Sequence, residues 1–263
     1  MAAPRIHPSA VVDPAARIAD DVVVGPFCVV GPQVALGGGV ELISHVAVAG
    51  ITEIGARTRI FPFASIGHEP QDKKFHGESS RLIVGEDNVI REGVTMNPGT
   101  EGGGMLTRVG SRGLFMAGAH VAHDCQLGDD VIMANNATLA GHVTVGDFAF
   151  LGGISAVHQF CRIGDHAIVG GMTGIERDVI PYAMAIGDRA RLTGLNLRGL
   201  RRRGFSKEDI QSLGAAYALL FGPEGTLIER LDTVADRFAG VAPVMEIVAF
   251  IRADSSRAIC QPA

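Results

Sequence analysis

Bulky apolar residues recur at every sixth position from Val109 to Ile175: Val109, Phe115, Val121, Leu127, Met133, Leu139, Val145, Leu151, Val157, Ile163, Val169 and Ile175. The residue two places before each is mostly small, as at Gly113, Ala119, Cys125, Ala137, Ala149 and Ala167. Six is even, so a strand's two-residue alternation keeps both sets on one face. A helix turning every ~3.6 residues cannot do so. A short fixed period marks a solenoid. The pattern predicts an all-β parallel β-helix of hexapeptide repeats with three short sides per coil, so that a residue stacks on the one three hexads later. Glycine often follows the bulky residue, as at Gly110, Gly128 and Gly146, and is expected there to let the backbone bend.

The same period starts at Ile6 and holds through Ile66. Residues 67–81, GHEPQDKKFHGESSR, are polar and break it. It resumes at Val84, three hexads after Ile66, which predicts that the coil register returns unchanged and that the segment is a loop thrown out from one coil. Long loops on a rigid scaffold often carry function. A second break, 97–108, holds Gly102, Gly103 and Gly104 and shifts the phase by one residue. Pro181 ends the repeats. From Ser206 the spacing turns helical: Ile210, Leu213, Tyr217, Leu220 and Phe221, then Leu227, Leu231, Val234 and Phe238, then Met245, Val248 and Ile251. Ser206 is the expected cap of the first helix, with Asp209 as its partner, and Gly222-Pro223 its stop. The division expected is a solenoid over 1–190 and a helical domain over 191–263 that covers the open end of the prism, whose strand edges otherwise invite aggregation.

Composition narrows this reading. The chain of 263 residues has 35 Gly and no Trp, which suits a core too thin for large rings. Its net charge of −5 disfavours a nucleic-acid partner. Cys28, Cys125, Cys161 and Cys260 form no C-x-x-C pair, and the first three fall in the small inward position, so buried free thiols are expected. The N-terminus lacks an apolar signal region, and no run approaches the ~18 apolar residues of a membrane span. A soluble cytoplasmic protein follows.

Four histidines concentrate in the long repeat block, in the strings HVAHDC, NNATLAGHV and AVHQFC: His120, His123, His142 and His158. Asp124 directly follows His123. A neutral imidazole is a ready general base, and a carboxylate can fix its tautomer. No G-x-S-x-G elbow supports a serine nucleophile, and the glycines at 102–104 lack the Lys-Ser/Thr of a phosphate-binding loop. His120, His123 and His142 could be imagined as zinc ligands, but His120 and His123 are three apart, not at the His-x-x-x-x-His spacing of the carbonic anhydrases built on hexapeptide repeats. No metal and no cofactor is expected. Arg198, Arg201, Arg202 and Arg203 in NLRGLRRRGF form either a solvated basic turn or an anion site.

These histidine strings, QDKK in the first loop, NLRGLRRRGF and the C-terminal helices together resemble the UDP-N-acetylglucosamine O-acyltransferases of lipid A synthesis over essentially the whole chain. The resemblance implies a left-handed coil, against the usual crossover rule. It also implies a homotrimer with sites between neighbouring prisms, and transfer of a 3-hydroxyacyl chain from acyl carrier protein to the sugar's 3-position. By the same resemblance His123 is the general base, Asp124 its orienting carboxylate, and Gly141 the backbone donor to the oxyanion. Gln71, Asp72, Lys74, His120, His142, His158 and Gln159 match positions around sugar and thioester. Asn196, Arg202 and Arg203 match nucleotide positions, and Gly171 the position that sets acyl length. The chain departs from the pattern at Asn97 and Arg189, where well-known members have His, and at Arg198, where they have Glu. Some members prefer a 3-amino sugar. The related N-acylating family carries an extra N-terminal domain, for which the hexads beginning at Ile6 leave no room. A non-catalytic hexapeptide scaffold is the remaining alternative, against which the histidine cluster and the polar loop both speak.

Overall fold

The computed structural model describes residues 3–253 and 255–262. Three sheets form the sides of a prism, a left-handed parallel β-helix. Side A has 11 strands, from Arg5–Ile6 to Arg191–Leu195; side B has 9, from Val11–Val12 to Gly174–Ile175; side C has 8, from Arg17–Ile18 to Arg162–Ile163. Most strands are two residues long, and the bulky residue of each hexad points inward: Val121, Leu139 and Val157 are 0–2% exposed. The small residue two places earlier is buried too, as at Ala119, Ala137 and Ser155. Parallel registers such as Val121↔Leu139 and Leu139↔Val157 give the expected stacking at three hexads per coil.

The bends are made differently from the expectation. The left-handed residue lies three places after the bulky one and is mostly not glycine: Asp124 (φ 61°), Asp130 (φ 57°), His142 (φ 63°), Phe148 (φ 58°) and Phe160 (φ 67°). Such a residue costs roughly 1–2 kcal/mol. A rung bond to the preceding coil helps offset it, as where His142 N–H donates to His123 O at 3.0 Å. The glycines after the bulky residue serve space instead. A Cβ on Gly128 would sit 2.1 Å from Asp147 Oδ1 in the next coil.

The register across the first loop also differs. Val84 pairs with Ile54 on side C, and not with the side that holds Ile66. The segment adds the length of two hexads to one corner; it does not fill a coil. It leaves side B at Ser65–Ile66 and re-enters side C at Arg81–Val84, and the second loop likewise leaves at Thr95–Met96 and re-enters at Leu106–Val109. Both loops therefore emerge from the edge where sides B and C meet, in consecutive coils. Sequence spacing could not separate an inserted corner from an inserted coil, because this insertion and the ordinary step of one hexad together span one coil's length.

Strand Arg191–Leu195 turns back antiparallel on Ala183–Ile186 and ends side A, so the expected divide at 190/191 falls inside a hairpin. Among the described residues four helices follow: α1 (Leu197–Arg202), α2 (Lys207–Leu220), α3 (Leu227–Arg237) and α4 (Ala242–Arg252). Ser206 caps α2 by accepting from Asp209 N–H (2.9 Å), while its hydroxyl donates to the Asp209 carboxylate (2.7 Å). Thr226 and Glu229 make a full capping box on α3. The helices bury Leu213, Leu220, Leu231, Val234, Val244 and Val248 in the same core as the last coils. All four cysteines are buried free thiols, and burial pushes Cys125 and Cys161 up to about 12.

Candidate active site

His123 stands on the BC edge, just past strand His120–Val121. The three-hexad coil brings Gly141 and Gln159 to the same corner position in the next two coils. A Cβ on Gly141 would lie 2.3 Å from His123 Cε1, so the imidazole rests on the backbone of the following coil and only glycine leaves it room. The His123 side chain is 13% exposed. Its Nδ1 meets Asp124 Oδ2 at 2.8 Å. A carboxylate only accepts, so the proton of a neutral His123 sits on Nδ1, and the Nε2 lone pair faces the first loop. There Asp72 Oδ2 lies 4.0 Å from Nε2.

Asp124 is held by more than its histidine. Thr100 N–H donates to Oδ1 (2.8 Å) and Thr100 Oγ to Oδ2 (2.6 Å). Its own N–H donates to Thr107 Oγ (2.7 Å). The carboxylate is 1% exposed because the second loop closes over it. A Cβ on Gly103 would lie 1.9 Å from Asp124 Cγ, which explains the middle glycine of the run that matched no phosphate-binding pattern. Thr100 and Thr107 are the functional residues that sequence reasoning missed. Nothing in the string around Thr100 distinguishes it, because its partner is 24 residues away.

His142 stacks on Phe160 (4.4 Å, 9°) and meets His123 edge-on (5.0 Å, 89°). Burial lowers its pKa, opposed by the nearby Asp124 charge. His120 bonds Thr95 Oγ through Nδ1 at 2.6 Å, and burial, with His123 second, lowers its pKa. His123, Asp124 and His142 offer donor atoms within 4.8 Å of one another. This is a different trio from the one the sequence suggested. The two Asp124 oxygens are already engaged by Thr100 and His123, so a cation would have to displace those bonds.

The other expected residues divide. Gln71, Asp72 and Lys74 lie on the first loop above His123, with Lys74 N–H donating to Asp72 Oδ1 (3.0 Å). His158 and Gln159 extend the BC edge. Gly171 lies on the AB edge beside Met172, where an added Cβ would meet only Gly153, its O at 3.4 Å. Asn196, Arg202 and Arg203 lie at α1, by the CA edge. Asn196 is 3% exposed and caps α1: its Oδ1 accepts from Gly199 N–H (3.0 Å) and its Nδ2 donates to His166 O (2.8 Å). Arg203 lies over the Phe148 ring (5.0 Å). Within one chain, then, the BC edge gathers His123, Asp124, Gly141, His142 and the loop residues, and does not gather Gly171, Asn196, Arg202 or Arg203. Of the departures, Asn97 donates through Nδ2 to His68 O (3.0 Å) and Glu69 O (3.2 Å), pinning the first loop; Arg189 and Arg198 are exposed.

An acyl-carrier-protein–UDP-N-acetylglucosamine O-acyltransferase of Caulobacter vibrioides is 53% identical over 98% of this chain and 98% of that protein. The chain belongs to the UDP-N-acetylglucosamine O-acyltransferase family. The Thermodesulfovibrio yellowstonii member is 47% identical over 98% of this chain and 99% of its own length. The model of domain 2 of these enzymes matches residues 178–260. Among solved structures, LpxA of Acinetobacter baumannii is 42% identical, with a TM-score of 0.91 over 97% of this chain and 99% of that one. The Francisella novicida enzyme is 36% identical, with a TM-score of 0.95 over 97% and 94%. The protein is an acyltransferase of lipid A biosynthesis. Among the described residues, no helix is long and apolar enough to cross a membrane.

Proposed function

We propose that the protein moves a 3-hydroxyacyl chain from acyl carrier protein to the 3-hydroxyl of UDP-N-acetylglucosamine in the cytoplasm, with His123 as general base. The observation that carries this is the buried His123–Asp124 pair, with its free Nε2 facing the polar loop and Gly141 packed beneath the ring. The sugar hydroxyl attacks the thioester carbonyl and gives its proton to Nε2. Asp124 holds Nδ1–H and stabilises the imidazolium that forms. Negative charge develops on the carbonyl oxygen, and the Gly141 N–H, which has no partner among the described residues, is a suitable donor to it. The intermediate then collapses, the C–S bond breaks, and the thiolate of the carrier's prosthetic group takes the proton back from His123. Asp72 and Lys74 on the first loop are suited to contact the sugar.

The working unit is a homotrimer. Phe27, Phe63, Ile154 and Met172 line the AB edge at 58–68% exposure, a strip that a second copy would cover. The residues matched to the nucleotide and to acyl length lie away from His123 in one chain, as a site shared between chains requires. The exposed Arg198, Arg201 and Arg202 supply a basic surface for an acidic carrier protein on a chain of net charge −5.

The test is incubation with UDP-N-acetylglucosamine and 3-hydroxyacyl carrier protein, beside the 3-amino sugar analogue, with the molecular mass followed by sedimentation. O-acylated product from a trimer supports the reading. Turnover of the amino sugar alone changes the acceptor. No transfer to either sugar refutes it.

A further inference from the structure

The C-terminal tail reaches the BC edge. Asp178, fully buried in the last coil, anchors it. The Asp178 carboxylate accepts from Arg162 N–H (2.8 Å), Arg162 Nε (2.7 Å) and Ser255 Oγ (2.7 Å). Its backbone N–H donates to Ala258 O (2.9 Å), and its O accepts from Cys260 N–H (2.8 Å). Between these ties Arg257 extends to the catalytic edge, where its Nη2 lies 2.8 Å from His158 Nδ1 and its Nε donates to Gln159 O at 3.1 Å. His158 adjoins Gln159, which stands two coils, roughly 10 Å, from His123 in the same column.

Two bonds compete for His158 Nδ1. It lies 3.2 Å from Gln159 O, a contact that needs a proton on Nδ1. The contact with Arg257 needs a lone pair there, because a guanidinium has donors and no acceptor. Both cannot hold. The Arg257 bond is shorter and charge-assisted, and Gln159 O is already served by Arg257 Nε. The His158 proton is therefore on Nε2. Without Arg257, the Nδ1–H form bonded to Gln159 O becomes the better one, and Nε2 turns from a donor into an acceptor.

We propose that Arg257 is a positioning residue that holds His158 as the Nε2–H tautomer, so that His158 donates a hydrogen bond to an oxygen of the bound substrate. That substrate contact rests on the function proposed above; the tautomer does not. No proton or electron is transferred to Arg257. Its work is to choose which ring nitrogen is the donor and to fix the Gln159 carbonyl beside it.

The primary test is nitrogen NMR of ¹⁵N-histidine-labelled full-length protein, with His158 assigned through His158→Gln. The wild type should show His158 protonated at Nε2 when neutral. Arg257→Met should convert it to Nδ1–H and lower kcat/KM by about tenfold, the worth of one charged hydrogen bond. Arg257→Lys, which keeps one cationic donor, should retain the Nε2–H signal and much of the activity. In a His158→Gln background, Arg257→Met should cost little more. A wild-type His158 protonated at Nδ1, or an Arg257→Met protein with the wild-type pattern, would overturn the proposal, and the wild-type spectrum decides even if Arg257→Met fails to fold. If the tautomer changes as expected but activity does not, the tautomer assignment stands and the contact with substrate falls.

Discussion

Replacing Gly141 with alanine perturbs the proposed base without touching it chemically. The new Cβ would lie 2.3 Å from His123 Cε1, 2.6 Å from Nε2 and 2.9 Å from Nδ1. Carbon atoms rest at about 3.5–4.0 Å, so the ring must move by roughly 1 Å. It cannot do so freely, because Nδ1 is bonded to Asp124 at 2.8 Å and His142 packs edge-on against it. A displacement of about 1 Å in a reacting group costs on the order of 10²-fold in rate. The backbone tolerates the change, because Gly141 is not among the left-handed glycines. At such a position alanine stabilises by about 0.4–1 kcal/mol through the unfolded chain, offsetting part of the crowding. Gly141→Ala should therefore fold with a near-normal melting temperature and a kcat lowered about 10²-fold. KM for the sugar nucleotide should hardly move. Steady-state transfer from 3-hydroxyacyl carrier protein measures the rate, and thermal unfolding checks the fold. A kcat within about threefold of wild type would mean that the ring has room the geometry denies it, or that its placement does not limit the reaction.

His123→Ala should lower kcat by ~10²–10⁴-fold with the fold intact, and Asp124→Asn by less; near-normal turnover of His123→Ala would remove the base from His123. Gly171→Met should fold normally, since the nearest atom to its Cβ is at 3.4 Å, and should shift the donor preference toward shorter chains. An unchanged kcat/KM profile across donor lengths would show that Gly171 sets no length. His166 is stacked between Phe148 and Tyr182, its Nδ1 is buried without a partner among the described residues, and burial, with Arg203 second, lowers its pKa to about 4. The unfolded chain then binds its proton first, so stability should be full above pH ~6.5 and fall as pH drops toward 4, with nothing further lost below that. Discounted for its half-buried position, this is about 1–2 kcal/mol. His166→Phe should flatten that part of the melting-temperature profile, and an unchanged slope would count against it.

The hexad period made the prism legible because each coil repeats one physical problem: an aliphatic side chain that must point inward every sixth residue. The helical cap was legible for a similar reason, with Ser206 and the apolar spacing after it marking α2. What the period hid is what it does not encode. An insertion of two hexads' length at one corner, taken with the ordinary step of one hexad, spans one coil's length, so Val84 was expected on the wrong side. Glycines after the bulky residue suggested bends, whereas they make room for the next coil. The helix α1 was concealed in a basic string whose charge drew more notice than its single buried leucine, Leu200.

The site was legible in its parts and not in its assembly. His123 and Asp124 are adjacent, so their pairing could be read from the chain. Gly141 sits beneath the ring only because each coil takes three hexads, and Thr100 reaches the carboxylate only because the second loop leaves from the same edge as the first. That shared edge explains the whole arrangement. A parallel β-helix offers flat sides with no cavity and a core too thin to hold a substrate, so a pocket must be added outside it. Loops emerging from consecutive coils at one corner build one wall, on which they bury Asp124 and leave His123 Nε2 open. The residues matched to the nucleotide and acyl chain lie away from that corner in the same prism. In the trimer proposed above, a second wall from a neighbouring copy would bring such residues to His123 without enlarging the fold, and the exposed apolar AB edge is the strip such a contact would cover.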